Sequence, residues 1–180
     1  MIIIEGLDNT GKSTLADKLH EQYQFEVVRS IGNEKPTNAR IMRDCASMME
    51  RDALEPFTVH DRGRFISEFI YPPVLKHRTM AISKSAWLMY FEDYITRPQL
   101  LIYAIRPLGK VMDTFDKKKQ LSGVLENLGN LDEAYGKVLG FIDYMFYAQN
   151  NGSAMIYYDW EYTPWEKVEE AVNNYVEVLT

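Results

Sequence analysis

The passage from the apolar run Met1 to Ile4 into Gly6-Leu7-Asp8-Asn9-Thr10-Gly11-Lys12-Ser13 constrains this chain more than any other feature. A short run of branched apolar residues reads as a strand buried on both faces. From Lys12 onward Leu15, Ala16, Leu19 and Tyr23 recur at helical spacing. The eight residues between strand and helix fit G-x-x-x-x-G-K-[ST] at every fixed position, a match that chance supplies on the order of once in a hundred such chains. Glycines let the backbone wrap phosphate oxygens, the N–H groups and helix N-terminus face the anion, and the lysine reaches the outer phosphates. The expectation is an ATP phosphate-binding loop spanning Gly6, Leu7, Asp8, Asn9, Thr10, Gly11, Lys12, Ser13 and Thr14, with Lys12 catalytic and Ser13 a ligand for Mg²⁺.

The remaining pattern alternates strands with helices. Phe25 to Arg29, Phe57 to His60 with Asp61 at its end, Leu100 to Ile105 and Ala154 to Tyr158 read as strands. Helices are expected over 36–55, from Arg64 to Tyr71 before a Pro72-Pro73 break, between Ser83 and Thr96, along the segment carrying Leu131 to Phe146, and from a Thr163 cap with Pro164 in first position. This order predicts an α/β fold, a parallel sheet of about five strands with helices on both faces. At 180 residues the chain fits one domain spanning 1–180.

Composition narrows the partners. A net charge of −6 disfavours a broad basic surface for polymeric nucleic acid, so bound phosphate is expected in a local pocket. The apolar runs are too short to span a membrane, the opening residues lack a signal-peptide pattern, and the one cysteine, Cys45, reads as an inert buried thiol; a cytoplasmic protein is expected. A homodimer is a further expectation.

A regulatory GTPase would carry a guanine-reading Asn-Lys-x-Asp sequence, which is missing at a suitable place, and a motor-type ATPase would close a hydrophobic strand with an acidic pair. Here the third strand ends in Asp61-Arg62. That pairing suits phosphoryl transfer between small molecules, with Asp61 holding Mg²⁺ through water and Arg62 gripping phosphate through its planar fork. His60 borders this position, and a strand-end histidine satisfied by the backbone is the simpler reading.

The run from Ile4 to Thr14, the Asp61-Arg62 pair with Ile66 to Tyr71 after it, and Leu101-Ile102-Tyr103 followed by Arg106-Pro107 together resemble the thymidylate kinase and deoxynucleoside kinase family of P-loop kinases, in its compact bacteriophage-type form. The resemblance is specific over residues 1–14 and 59–71. It implies a nucleoside monophosphate kinase-like fold with a mobile lid around 108–128, and Mg²⁺-dependent transfer of the ATP γ-phosphoryl group to a deoxynucleoside monophosphate, with a thymidylate-like acceptor favoured. By position it implies that Asp8 binds the acceptor 3′-hydroxyl and Arg62 the acceptor phosphate, with Phe65 and Phe69 stacking on the base or packing in the core.

The sequence departs from that family in its cations. Some members have arginine where Asn9 stands, and others carry lid arginines, whereas residues 107–150 here contain none. The expectation is that Lys117, Lys118 and Lys119 serve the lid, with Arg106 the alternative. Other readings stay open at this stage: a deoxynucleoside kinase with Glu34 as the nearest general base, a polynucleotide or modified-base 5′-hydroxyl kinase, and an ATP-binding regulatory module without turnover.

Overall fold

The computed structural model describes residues 1–29, 38–75, 80, 82–115 and 125–180. Five strands form one parallel sheet: β1 Ile2–Glu5, β2 Glu26–Arg29, β3 Thr58–Asp61, β4 Leu100–Ala104 and β5 Ala154–Tyr158, in the spatial order β2-β3-β1-β4-β5. The helices are α1 Lys12–Tyr23, α2 Asn38–Leu54, α3 Arg64–Val74, α4 Lys84–Ile95, α5 Leu108–Asp113, α6 Asn127–Gln149 and α7 Trp165–Leu179.

Side chains alternate across a strand, and β1 uses both of its faces. Ile3 packs with Leu101 and Tyr103 of β4 into a core covered by α2, α3, α4 and α6. Ile2 and Ile4 face the other way, with Val59 and Ile102, under α1 and α7. This double burial is why β1, β3 and β4 read as buried throughout while the edge strands β2 and β5 do not. Because β1 lies between β3 and β4, the chain leaves its C-terminal end where the strand order switches direction, the usual place for a ligand crevice in such sheets.

Two local expectations need correction. α3 does not stop at Tyr71 but carries Pro72 and Pro73 in its last turn, closed by Leu75 N donating to Tyr71 O at 2.8 Å. The prolines forfeit two helical donors, yet Tyr71 and Pro72 are buried and the packing of α3 on α6 holds the turn. Thr163 does not cap α7 either. Its hydroxyl accepts from Asp159 N at 3.0 Å, and Pro164 occupies the cap position before Trp165.

Candidate phosphoryl-transfer site

The loop after β1 is forced into shape by its first glycine. Gly6 has φ +145, and a Cβ there would sit 2.2 Å from the Ala104 carbonyl oxygen, so no larger residue fits. Gly11 is left-handed at φ +81 and hands the chain to α1, whose first residue is Lys12.

Lys12 lies buried over the loop. Its Nζ donates to Leu7 O and, at 3.2 Å, to Thr10 Oγ1, while Thr10 Oγ1 donates to Leu7 O at 2.9 Å. Burial pushes the Lys12 ammonium down to about 7, and the nearby Arg62 guanidinium adds to the effect against Asp8, Asp61 and Glu5.

Ser13 Oγ donates to Asp61 Oδ2 at 2.5 Å, bringing the first turn of α1 to the end of β3. A hydroxyl and a carboxylate at the loop mouth are hard oxygen donors, and they fit the Mg²⁺ that the motif implies. Among the described residues no group of three His, Cys, Asp or Glu side chains is placed to hold a metal ion. Thr14 lies in the first turn of α1 with its side chain exposed.

Arg62 holds a left-handed backbone, φ 79, rare outside glycine. Its Nη2 pairs with Asp8 Oδ1 at 2.5 Å; its Nη1 donates to the hydroxyls of Tyr71 at 2.8 Å and Tyr135 at 3.0 Å. Asp8 and Arg62 are each 11% exposed, so the pair is sheltered yet reachable. The Asp8 carboxylate within the loop therefore has a cationic partner.

A pocket of about 170 Å³ opens beside this pair, lined by Arg29, Arg51, Arg62 and Arg64 with His60 and the single carboxylate of Asp44. Arg64 Nε lies 3.5 Å from Asp44 Oδ2, and desolvation lowers the Arg64 pKa. Each of these arginines has a carboxylate partner: Arg29 pairs with Asp17, Arg51 with Glu26 at 2.6 Å, Arg62 with Asp8 and Arg64 with Asp44.

Across the loop, Trp160 Cδ1 stands 3.4 Å from where a Gly11 Cβ would be, and Arg106 lies over the indole at 5.6 Å. Asn9 Nδ2 donates to Thr114 O at 2.7 Å, tying the loop to the segment that follows α5.

Of the residues expected at a site, Lys12, Ser13, Asp61, Asp8 and Arg62 come together. Phe65 does not reach it. Its ring is fully buried with its centroid 5.0 Å from that of Tyr94, so the base-stacking alternative gives way to core packing. Phe69 is half-buried and stacks on Trp87 at 4.3 Å. Lys117, Lys118, Lys119 and Glu34 lie outside the described residues. Sequence reasoning missed Glu5, Tyr71, Tyr135, Arg29, Arg51 and Arg64. An acid closing an otherwise apolar strand was the visible signal for Glu5, whereas the tyrosines were hidden in helical core patterns.

No protein-family model matches the chain. No curated protein sequence matches it either. Solved structures do. YorR from Bacillus subtilis, in complex with phosphorylated GDP, superposes with a TM-score of 0.70 at 16% identity over 98% of this chain and 95% of that one. Deoxyadenosine kinase from M. mycoides with bound dATP gives a TM-score of 0.61 at 15% identity over 96% and 97% of the two chains. The same kinase with bound dCTP gives 0.54 at 18% identity over 96% and 97%. At these identities the likeness is one of fold, and it agrees with the parallel five-stranded architecture.

Proposed function

We propose that this chain is a Mg²⁺-dependent nucleotide kinase that transfers the γ-phosphoryl group of ATP to a deoxynucleoside monophosphate, with a thymidylate-like acceptor favoured. The observation that carries the reading is the complete phosphate-loop motif with Ser13 against Asp61 at 2.5 Å and the sheltered Asp8–Arg62 pair beside it. A guanidinium held beside the loop suits a phosphorylated acceptor better than a neutral nucleoside.

On this reading the loop amides and Lys12 hold the donor phosphates, Arg62 holds the acceptor phosphate, and Asp8 takes the 3′-hydroxyl. Mg²⁺, held at Ser13 and by Asp61 through water, supplies charge neutralisation on the donor oxygens. An acceptor phosphate with a second pKa near 6 is already largely dianionic at neutral pH. Positioning and charge neutralisation then do the chemistry, without a strong general base.

A deoxynucleoside acceptor is the second reading, favoured by the fold likeness to deoxyadenosine kinase. ATP consumption measured across deoxynucleosides, their monophosphates and a 5′-hydroxyl oligonucleotide separates the two. Turnover of monophosphates, thymidylate foremost, is expected; turnover of nucleosides alone would overturn the monophosphate assignment.

A further inference from the structure

Glu5 ends β1 immediately before the loop and is fully buried. Burial raises its pKa, against the pull of the Arg62 and Lys12 charges. Its carboxylate is not idle: Oε1 accepts from Gly63 N at 2.7 Å and from Ser67 Oγ at 3.2 Å, and Oε2 accepts from Tyr135 Oη at 3.0 Å. All three partners donate. Gly63 N can only donate, so an amide here keeps its oxygen on Gly63 and turns its NH2 to Tyr135 Oη, which reverses the Tyr135 hydrogen bond.

These contacts converge on Arg62. Gly63 is the next residue, so its anchored N–H helps fix the left-handed turn at Arg62. Tyr135 gives its own proton to Glu5 and receives Arg62 Nη1 at 3.0 Å, which forms a directed relay from β1 through α6 to the guanidinium. Asp8 and Tyr71 hold the same guanidinium from other directions.

We propose that Glu5 is a positioning residue for Arg62, fixing the acceptor-side guanidinium through Tyr135 and Gly63 without touching substrate. The assignment of Arg62 to the acceptor rests on the proposed function; the coupling of Glu5 to Arg62 does not.

The test uses the full chain with Glu5→Gln, Arg62→Lys, the double variant and Tyr135→Phe. In Glu5→Gln, kcat/KM for the acceptor is expected to fall by roughly 30-fold or more with the affinity for an ATP analogue within twofold of wild type. In the Arg62→Lys background the same change is expected to cost no more than about threefold. Equal losses in both backgrounds, or a matching loss of ATP-analogue affinity, would overturn the proposal and leave Glu5 a residue of the core. Should Glu5→Gln not fold, Tyr135→Phe cuts the relay alone. Acceptor kinetics within about threefold of wild type in that variant also overturn it.

Side-chain ¹⁵N NMR of the arginines, assigned through Arg62→Lys, gives a readout independent of turnover. Slow exchange of the Arg62 Nη protons is expected in the wild type and faster exchange in Tyr135→Phe. If no monophosphate is turned over, the functional reading fails while this measurement still decides the coupling, and unchanged exchange sinks it.

Discussion

Ser13 and Asp61 stand 48 positions apart in the chain and meet at 2.5 Å. The register of the parallel sheet brings them together. Ile4 pairs with Asp61 across β1 and β3, so the end of β3 faces the turn that starts α1. On the proposed reading this contact gives way to the metal, and Ser13→Ala should raise the Mg²⁺ concentration for half-maximal rate and lower kcat by about 10²-fold. Initial rates over a Mg²⁺ titration check this. An unchanged midpoint would take Ser13 out of metal binding.

Lys12, held down to about 7, makes two pH effects predictable. Donor phosphates favour the ammonium, so binding above that pH takes up a proton, and affinity for ATP should weaken as pH rises from about 7 toward 10. Calorimetry in two buffers of different ionisation heat measures the proton. For stability the folded pKa lies below the unfolded one, so between them the unfolded chain holds the extra proton and stability rises with pH. Lys12→Met should therefore melt above wild type near pH 7, with the gap closing toward the ordinary lysine value of 10.5. Its turnover should fall by at least ~10³-fold.

The fold was legible because its signals are local. Ile2, Ile3 and Ile4 show no alternation since both faces of β1 are covered, and α4 buries Trp87, Phe91, Tyr94 and Ile95 at the spacing the sequence displays. The loop half of the candidate site was legible for the same reason, since its motif is one contiguous segment. The surroundings of Arg62 were not. Arg29, Arg51 and Arg64 come to line one pocket only after β2, α2 and α3 are assembled, and nothing in their immediate sequence neighbours marks that. Tyr135 likewise sits among Leu131, Leu139 and Ile142 on the core face of α6, and its hydroxyl role depends on where Glu5 ends β1.

Asp8 has two separable roles, partner to Arg62 and proposed ligand of the acceptor 3′-hydroxyl. Removing one side of a sheltered ion pair costs about 3 kcal/mol, so Asp8→Ala should lower the melting temperature by several degrees. Its acceptor selectivity is the sharper test. Loss of kcat/KM should be larger with a 3′-hydroxyl acceptor than with the 3′-deoxy analogue, and equal losses would leave Asp8 only its ion pair.

Arg64 lines the pocket beside Arg62 and is held by Asp44 at 3.5 Å. Arg64→Gln should raise KM for a monophosphate acceptor by roughly tenfold, in line with loss of one charge-assisted hydrogen bond, with KM for ATP unchanged. Acceptor and donor kinetics measured on the same preparation decide it. A rise in both would place Arg64 in the stability of α3 rather than in recognition.

The cation opposite the loop has two candidates, and kinetics can rank them. Lys117, Lys118 and Lys119 are the sequence-based choice. If they close over transferring charge, their joint replacement by alanine should lower kcat and acceptor kcat/KM together by roughly 10²-fold, with little change in melting temperature. Arg106 is already at the loop, with Nη1 3.4 Å from Asn9 O, and it is shared between Glu161 at 3.9 Å and the Trp160 ring. Its guanidinium already lies beside Asn9, whereas the three lysines lie outside the described residues. Measurements at two ionic strengths separate a closed-site contact from long-range steering, because screening weakens only the latter. A triple variant within about threefold of wild type at both salts assigns the charge to Arg106, and Arg106→Ala should then carry the 10²-fold loss.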